Sequence, residues 1–260
     1  MSDIRGFTAP GYERVAEMMT TGARLEIAGR ERVADLGTGG GAFAAYVGGE
    51  RVVDIWTGDA APGVPWAEDT AAVIMSSTKG MSALCAHVLG DRGELDVDAP
   101  VTKYWPEFGA AGKEATLVRE LLSHQSGAIG VPGADDFMAW DGTGWDDTEA
   151  IAAVIASAPP AWEPGTRHGY HGLTFGWFTG ELVRRITGVS LGTFFRTEVA
   201  EPLGVDIMLG TPAERLAHVI AETILSSFPR VERVSIRVAK RLPPAPFIAE
   251  ELGVELEMRR

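Results

Sequence analysis

The chain has 260 residues, of which 45% are hydrophobic and 23% are charged. That composition is typical of a globular protein and argues against a disordered chain or a coiled coil. The formal net charge of −13 argues against a nucleic acid or an anionic membrane as a partner, since both require clustered Lys and Arg. The single cysteine, Cys85, cannot form an intramolecular disulfide, and its apolar helical pattern predicts a packed residue. No cluster of metal ligands is visible, and we predict no cofactor.

Targeting segments are not evident in the sequence. Residues 1–7 lack the charged start and the apolar stretch of a signal peptide. No apolar run approaches the length of a transmembrane helix. We therefore expect a cytoplasmic protein.

The first predicted elements are a helix and a β-hairpin. Apolar residues at helical spacing predict a helix over about residues 11–28. Two strand-like runs, residues 42–47 and 51–56, flank the pair Gly48-Gly49 and predict an antiparallel hairpin. Turn residues through the middle of the chain then separate shorter helices. This mixture of elements predicts an α+β fold.

A glycine-rich stretch, residues 35–41, allows a competing interpretation. It resembles the first motif of S-adenosylmethionine methyltransferases, in which glycines let the backbone approach the cofactor, and Asp54 would be the acid after the second strand. A crossover between parallel strands needs about a dozen or more residues, normally with a helix. Only residues 42–50 intervene here, and they are strand-like. We therefore interpret the glycines as a loop before the hairpin.

The stretch Ser76-Ser77-Thr78-Lys79 carries the most informative chemistry. It follows an apolar run and precedes a helical pattern over residues 81–89. If Ser76 opens that helix, Lys79 lies three residues later on the same face. A serine hydroxyl is a weak nucleophile at neutral pH, and an amine within hydrogen-bond reach can assist in removing its proton. The pattern S-x-x-K arises often by chance, but here it indicates a serine–lysine pair.

Histidine could supply a base, and His124, His168 and His171 are candidates. Their spacing in the sequence selects none of them. Apolar neighbours in the sequence favour a structural, hydrogen-bonding role for His87 and His124. The cluster at residues 168–171 lacks the neighbours that a metal site requires.

A second serine, Ser190, lies in a G-x-S-x-G pattern that matches the nucleophile elbow of α/β-hydrolases. In that elbow a strand delivers the serine, whereas residues 180–186 have a helical pattern here. We therefore predict that Ser190 is the N-cap of the following helix and that Gly188 closes the preceding one.

The composition changes after about Thr211. Residues 216–260 contain one glycine, no tryptophan, and seven basic against six acidic residues, in a chain whose overall charge is −13. Apolar spacing predicts an amphipathic helix over about residues 216–228. Alternation predicts a strand over residues 234–238 and a second strand over residues 254–258.

Several landmarks follow Ser76 and Lys79 in order along the chain. They are residues 91–101, 121–127, 170–172 and 201–204. Together they resemble the serine beta-lactamase-related family, which includes class C beta-lactamases, penicillin-binding D-Ala-D-Ala carboxypeptidases and beta-lactamase-like carboxylesterases. The resemblance covers about residues 5–215 and implies a beta-lactamase-like fold with an antiparallel sheet and a helical region.

The resemblance implies a role for each of three residues. Ser76 is the acylated nucleophile, Lys79 assists its deprotonation, and Tyr170 opens the Y-x-N element and acts as a phenolate-like general base. A tyrosine proton leaves at about pH 10, and a neighbouring ammonium would stabilise the anion. Ser76 at a helix start would also direct its N–H toward a developing oxyanion. Gly172 replaces the family's asparagine, which favours the esterase branch, where this position varies.

The C-terminal part departs from the family. Family members continue well beyond 260 residues and contain a K-T-G-like or H-x-G-like strand, and no such motif follows Thr211. Residues 216–260 instead resemble the C-terminal end of dihydroneopterin aldolase, with Lys240 at its active-site lysine, although that enzyme's earlier strands and glutamate are missing. The sequence thus predicts a serine hydrolase domain over residues 1–215 that lacks its C-terminal part. An aldolase-like helix–strand–strand fragment is predicted over residues 216–260.

The leading hypothesis is a serine hydrolase that acts on a small-molecule ester or amide through an acyl-enzyme on Ser76. The alternative is a non-catalytic truncated or fused remnant, because the sheet is truncated and a foreign helix and strands follow it. The missing strand normally supplies the second oxyanion donor, and loss of one such donor costs about a hundredfold to a thousandfold in turnover. A third hypothesis, a folate-pathway aldolase activity of the tail, has few residues to hold its site. The sequence specifies neither the substrate nor the oligomeric state.

Overall fold

The computed structural model describes most of the chain. The described residues are 4–21, 23–27, 30–34, 40–61, 63–134, 144–145, 147–210, 233–240 and 250–259. They form two compact units, Met1–Val73 with Thr211–Arg260, and Ile74–Gly210. Among the described helices, none combines the length and the apolar character that a membrane span requires. The boundary expected near residue 215 concerns sequence relationships and stays a prediction.

The first unit consists mainly of antiparallel strands. In chain order its elements are β1 (Arg5–Thr8), α1 (Glu13–Thr21), β2 (Ala23–Ile27), β3 (Arg30–Ala34), β4 (Gly41–Val47), β5 (Glu50–Thr57), β6 (Asp59–Ala61), β7 (Val64–Pro65), β8 (Arg233–Lys240) and β9 (Glu250–Arg259). Strands β1, β5 and β4 form a three-stranded sheet in that order, and β2–β3, β6–β7 and β8–β9 are two-stranded. Buried Val53 and Ile55 of β5 pack against Val15 and Met19 of α1.

The structure confirms the predicted hairpin of β4 and β5. Gly48 and Gly49 connect the strands with φ of 59° and 84°. A two-residue turn of this kind needs positive φ at both central positions, which glycine adopts readily. Since β4 pairs directly and antiparallel with β5, the methyltransferase crossover is not formed. Residues 35–39 of the glycine-rich stretch lie outside the described residues.

The helix predicted over residues 11–28 is wrong in its second half. Helix α1 ends at Thr21, and residues 23–27 form β2, which pairs antiparallel with β3. The sequence of β2 alternates Ala, Leu and Ile with Arg and Glu. This period of two competes with the helical spacing that Ala23 and Ile27 also fit. Pairing with the adjacent strand therefore decides the conformation.

The C-terminal strands agree with the sequence analysis. Strand β8 contains the strand predicted over residues 234–238, and β9 contains the one predicted over residues 254–258. The two strands pair antiparallel. Lys240 is the last residue of β8. The helix predicted over residues 216–228 lies outside the described residues.

The second unit is helical. Its elements are a 3₁₀ turn (Met75–Ser77), α2 (Thr78–Asp91), 3₁₀ segments (Val101–Lys103 and Pro106–Gly112), α3 (Val118–Leu122), α4 (Thr148–Ser157), α5 (Thr174–Thr187), α6 (Leu191–Phe195), a π-helical turn (Arg196–Ala200) and α7 (Glu201–Leu203). Helix α5 packs against α2, α3, α4 and α6. Leu89, Phe108, Leu121, Ile151 and Phe178 are fully buried between them. Each such side chain contributes about 1.5–3 kcal/mol by leaving water.

Helix α2 has one buried and one exposed face. Cys85 is buried, as predicted, and burial raises the pKa of its thiol to about 11. The thiol therefore stays protonated at neutral pH and acts as a small packed side chain. His87 is exposed, which contradicts the apolar surroundings predicted for it. Its position, one turn from exposed Leu84, places it on the outer face of the helix.

The structure confirms the capping role predicted for Ser190. Its hydroxyl accepts the Thr193 N–H at 3.2 Å as the N-cap of α6. Gly188, with φ of 80°, closes α5. The residues before Ser190 are helical, so the serine does not lie on the strand-to-helix turn of a nucleophile elbow.

A buried lysine closes the end of α4. The Lys113 ammonium donates to the carbonyls of Ala110 at 2.8 Å and Ala156 at 2.9 Å, and also to that of Ala158. The last carbonyls of a helix have no partner within the helix, and a cation there is favoured by the helix dipole. The side chain is fully buried, and burial lowers the pKa of its ammonium. Lys113 thus ties α4 to the preceding 3₁₀ segment.

Replacing this lysine tests that role. We expect Lys113→Met to lower the free energy of unfolding by about 3 kcal/mol, because three carbonyls lose a charged donor and two of them belong to the end of a helix. Urea unfolding followed by circular dichroism measures the change. The control is Lys103→Met, at an exposed lysine, with an expected change within about 0.5 kcal/mol. Equal effects at both positions would contradict the role assigned to Lys113.

Candidate active site

Ser76 and Lys79 lie at the start of α2. Ser76 is exposed in the 3₁₀ turn that leads into the helix, and Lys79 lies in the first helical turn. The Lys79 Nζ donates to the Ser76 Oγ over 3.4 Å. Met75, directly before the serine, has a φ of 46°. A non-glycine residue in this left-handed region costs about 1–3 kcal/mol and is typical of functional sites.

Tyr170 and Gly172 meet the same ammonium from a distant part of the chain. The Lys79 Nζ lies 4.8 Å from the centroid of the Tyr170 ring and donates to the Gly172 carbonyl at 2.7 Å. The structure therefore brings together all three residues predicted for the site. The carbonyl of Gly172 was not anticipated, because a backbone group leaves no signal in the residue type.

The Tyr170 phenol has an altered acidity. Hydrogen bonds with the Ser76 hydroxyl and then the Lys79 side chain lower the pKa of Tyr170 from its ordinary value of 10.0, and the lysine's positive charge adds to this. The side chain is 57% exposed, so burial opposes the shift only weakly. A phenolate in contact with a serine hydroxyl and an ammonium is chemically suited to accept the serine proton.

The three candidate histidines lie in one cluster beside Tyr170. The ring of His124 is 5.1 Å from that of Tyr170, 5.2 Å from that of His171 and 5.8 Å from that of His168. His168 is exposed, His124 is partly buried and His171 is fully buried. The structural role predicted for His124 agrees with the bond that its Nδ1 accepts from the His171 N–H at 3.1 Å.

His171 forms a buried pair with Ser126. The His171 Nδ1 lies 2.6 Å from the Gly169 carbonyl, which can only accept, so Nδ1 carries the proton. The His171 Nε2 then accepts from the Ser126 hydroxyl at 2.9 Å. Both side chains are fully buried, which separates this serine from an incoming substrate. Residue types and local spacing do not reveal this pair, because its members lie 45 residues apart.

His171 makes stability depend on pH. Burial, assisted by the neighbouring His124 and His168, lowers the pKa of His171, against the effect of the Gly169 carbonyl. Below the unfolded value of 6.5, the unfolded chain takes up a proton that the folded chain does not. The contribution of the neutral His171 to the free energy of unfolding is therefore fully present above pH 6.5 and is lost as the pH falls below that value.

We expect the free energy of unfolding to fall between pH 7.5 and pH 5.5 by at most about 1.4 kcal/mol per pH unit from this one group. Urea titrations at several pH values measure the slope. His171→Asn should make it shallower, whereas His87→Asn on the exposed face of α2 should leave it unchanged. An unchanged slope in His171→Asn would show that this imidazole does not titrate on unfolding.

Two glycines flank Tyr170 in different surroundings. A Cβ at Gly169 would lie 2.3 Å from the Trp162 ring, which is held by a bond from its Nε1 to the Gln125 carbonyl at 3.0 Å. A Cβ at Gly172 would meet only the Tyr170 ring, at 4.0 Å. The tryptophan therefore fixes the backbone before Tyr170, while the space beside Gly172 is open.

A matched pair of substitutions tests this difference. We expect Gly169→Ala to lower the free energy of unfolding by about 1–3 kcal/mol, because the new methyl group overlaps the indole. Gly172→Ala should change it by less than about 0.5 kcal/mol. Thermal unfolding of the two variants beside the wild-type chain gives both values. A tolerated alanine at position 169 would mean that Trp162 does not constrain this segment.

Comparison with known proteins places the chain in a family. A model of the beta-lactamase family matches residues 27–225. The chain belongs to the beta-lactamase family. This confirms the family that the ordered landmarks suggested, and solved structures of the family support the predicted beta-lactamase-like α+β fold. The chain is 34% identical to a penicillin-binding protein homologue from Caulobacter crescentus, with a TM-score of 0.70 over 82% of this chain and 54% of that one. A family VIII carboxylesterase is 38% identical, with a TM-score of 0.65 over 81% and 55%.

Curated relatives of this beta-lactamase family member include esterases. The esterase/beta-lactamase LipL of Mycobacterium tuberculosis (strain ATCC 25618 / H37Rv) is 42% identical over 192 residues, which are 72% of this chain and 43% of LipL. Esterase EstB of Burkholderia gladioli is 36% identical over 160 residues, or 56% and 40%. The chain thus spans less than half the length of these relatives. They lend no support to the aldolase resemblance of residues 216–260 or to a fusion, and the family model continues to residue 225.

Proposed function

We propose that this chain is a serine hydrolase that forms an acyl-enzyme on Ser76 with a small ester or amide. The observation that carries the proposal is the position of the Lys79 Nζ, 3.4 Å from the Ser76 Oγ, 2.7 Å from the Gly172 carbonyl and 4.8 Å from the Tyr170 ring centroid. The esterase and beta-lactamase relatives support hydrolase chemistry in general.

The acylation step follows from these contacts. The Tyr170 phenolate accepts the hydroxyl proton of Ser76 as the Oγ forms a bond to the carbonyl carbon of the substrate. The carbonyl π electrons move to oxygen, and the Ser76 N–H supplies one donor to that oxyanion. As the bond to the alcohol or amine breaks, the phenol returns the proton to the leaving group. Lys79 keeps its proton throughout and stabilises the phenolate by its charge.

Deacylation reverses these roles. The regenerated phenolate takes a proton from water, whose oxygen attacks the acyl carbon. The Ser76 Oγ then leaves as the alkoxide and recovers the proton from Tyr170. The carboxylic acid product and the free serine complete the cycle, in which water is the only co-substrate.

We infer a preference for esters from the surroundings of Gly172. This residue has no side chain to orient an amide. The space beside it is open, since a Cβ placed there would lie 4.0 Å from the Tyr170 ring and meet no other atom within 4 Å. An alcohol also leaves with less help from a proton donor than an amine does. The family VIII carboxylesterase and EstB are consistent with this preference.

An activity-based probe tests the proposal. A fluorescent fluorophosphonate should label the folded chain, and mass spectrometry should find the adduct on Ser76. Ser76→Ala should abolish labelling, while Ser77→Ala, at the neighbouring serine, should retain it. Tyr170→Phe should slow labelling by about a hundredfold or more, because the general base is lost. The rate should rise with pH around a midpoint below 10.0, since the pKa of the phenol is lowered.

The opposite results would overturn acylation of Ser76, and a folded chain without any label would favour the non-catalytic alternative. A folded chain without label at Ser76 would exclude acyl-enzyme formation by this serine. Labelling that survives Ser76→Ala would assign the chemistry to another nucleophile. Hydrolysis of p-nitrophenyl acetate compared with that of a chromogenic cephalosporin then separates esterase from lactamase activity, and faster turnover of the cephalosporin would overturn the ester preference.

A further inference from the structure

One residue, His124, makes hydrogen bonds to the backbone on both sides of Tyr170. The Gly169 N–H donates to the His124 carbonyl at 3.0 Å, and the His171 N–H donates to the His124 Nδ1 at 3.1 Å. Tyr170 lies between these two donors and is 57% exposed, so its own burial contributes little to its placement. The position of the phenol therefore depends on contacts of its neighbours, and both of these contacts lead to His124.

His124 occupies a backbone position that usually holds glycine. It follows the end of α3, where the His124 N–H donates to the Leu121 carbonyl at 3.4 Å and the Gln125 N–H donates to the Glu120 carbonyl at 2.7 Å. This pair of bonds forms a Schellman motif, in which the residue at the His124 position is left-handed. Its φ is 65°. Glycine would satisfy that backbone with less strain, so the helix end alone does not explain an imidazole here.

The imidazole must be neutral to make its contact. The Nδ1 accepts a backbone N–H, so the ring's proton is on Nε2. Burial first, then the positive charges of His168 and Lys79, lower the pKa of His124 and favour this neutral form. His171, the other histidine ring in contact with it, is neutral with its proton on Nδ1. The His124 ring also packs at 5.1 Å against the rings of Tyr170 and Phe175.

We propose that His124 is a positioning residue whose neutral imidazole and carbonyl hold the Tyr170 phenol against Lys79 and Ser76. Its catalytic consequence rests on the proposed function, whereas the placement of the phenol can be measured without it. The residue acts through Tyr170 and has no contact of its own with the reacting atoms in this scheme.

Two variants separate the hydrogen bond from the bulk of the side chain. In His124→Asn the Oδ1 atom replaces the Nδ1 atom as the acceptor, since both atoms are bonded to Cγ. Asparagine also tolerates positive φ. His124→Leu keeps a side chain of similar volume without an acceptor. For ester hydrolysis we expect kcat to fall about a hundredfold in His124→Leu, as for a base displaced by about 1 Å, with KM nearly unchanged. His124→Asn should keep kcat within about tenfold of the wild-type value.

The ultraviolet titration of Tyr170 supplies a readout that does not need activity. The difference between each protein and its Tyr170→Phe counterpart isolates this phenol from the other three tyrosines. We expect its pKa below 10.0 in the wild-type chain and in His124→Asn, and a return toward 10.0 in His124→Leu, because the contacts with Ser76 and Lys79 are lost. If His124→Leu does not fold by circular dichroism, His124→Gly, which satisfies the backbone, takes its place.

The outcomes distinguish this inference from the proposed function. Identical Tyr170 titration in all three proteins would overturn the positioning role, and so would unchanged kcat in His124→Leu. A titration that shifts in His124→Leu and not in His124→Asn supports the role even if Ser76 is never labelled by the fluorophosphonate. In that case the hydrolase proposal fails and the structural assignment of His124 stands.

Discussion

The candidate site depends on the hydrogen bonds of the Lys79 ammonium, because they join two segments that are far apart in sequence. One of these bonds reaches back to Ser76 in the 3₁₀ turn before α2, and the other reaches Gly172, 93 residues away. An exposed charge gains little from a single contact in water, so this bond alone cannot hold the two segments together. It can only complete an arrangement that the rest of the unit has already formed.

Each segment is placed by different forces. Helix α2 is held by its buried face, with Cys85 and Leu89 packed against α5 and α6. The Tyr170 segment is held by hydrogen bonds and alternates its side chains, with Tyr170 pointing outward and His171 buried on Ser126. The site thus combines a helix fixed by apolar packing with a polar segment whose buried groups are satisfied.

Local patterns were the part of this structure that the sequence could predict. Gly48 and Gly49 define a turn by their own backbone freedom, Ser190 caps the helix that follows it, and Ser76 reaches Lys79 within one helical turn. The β2 strand escaped prediction because its residues fit two periods, and only pairing with β3 decides between them. Contacts between residues far apart along the chain could not be predicted for another reason. The Ser126–His171 pair and the Gly172 carbonyl meet their partners through the fold, and no spacing in the sequence encodes that meeting.

The exposure of Tyr170 has a chemical consequence. Burial of a phenol raises its pKa because the anion loses its hydration, whereas contact with an ammonium lowers it. At 57% exposure the first effect is small, so the hydroxyl of Ser76 and the ammonium of Lys79 set the direction of the shift. An open site therefore allows an acidic phenol, but burial contributes little to holding that phenol in place. The backbone contacts with His124 meet this need, since they fix the ring's position and leave its oxygen accessible to the serine.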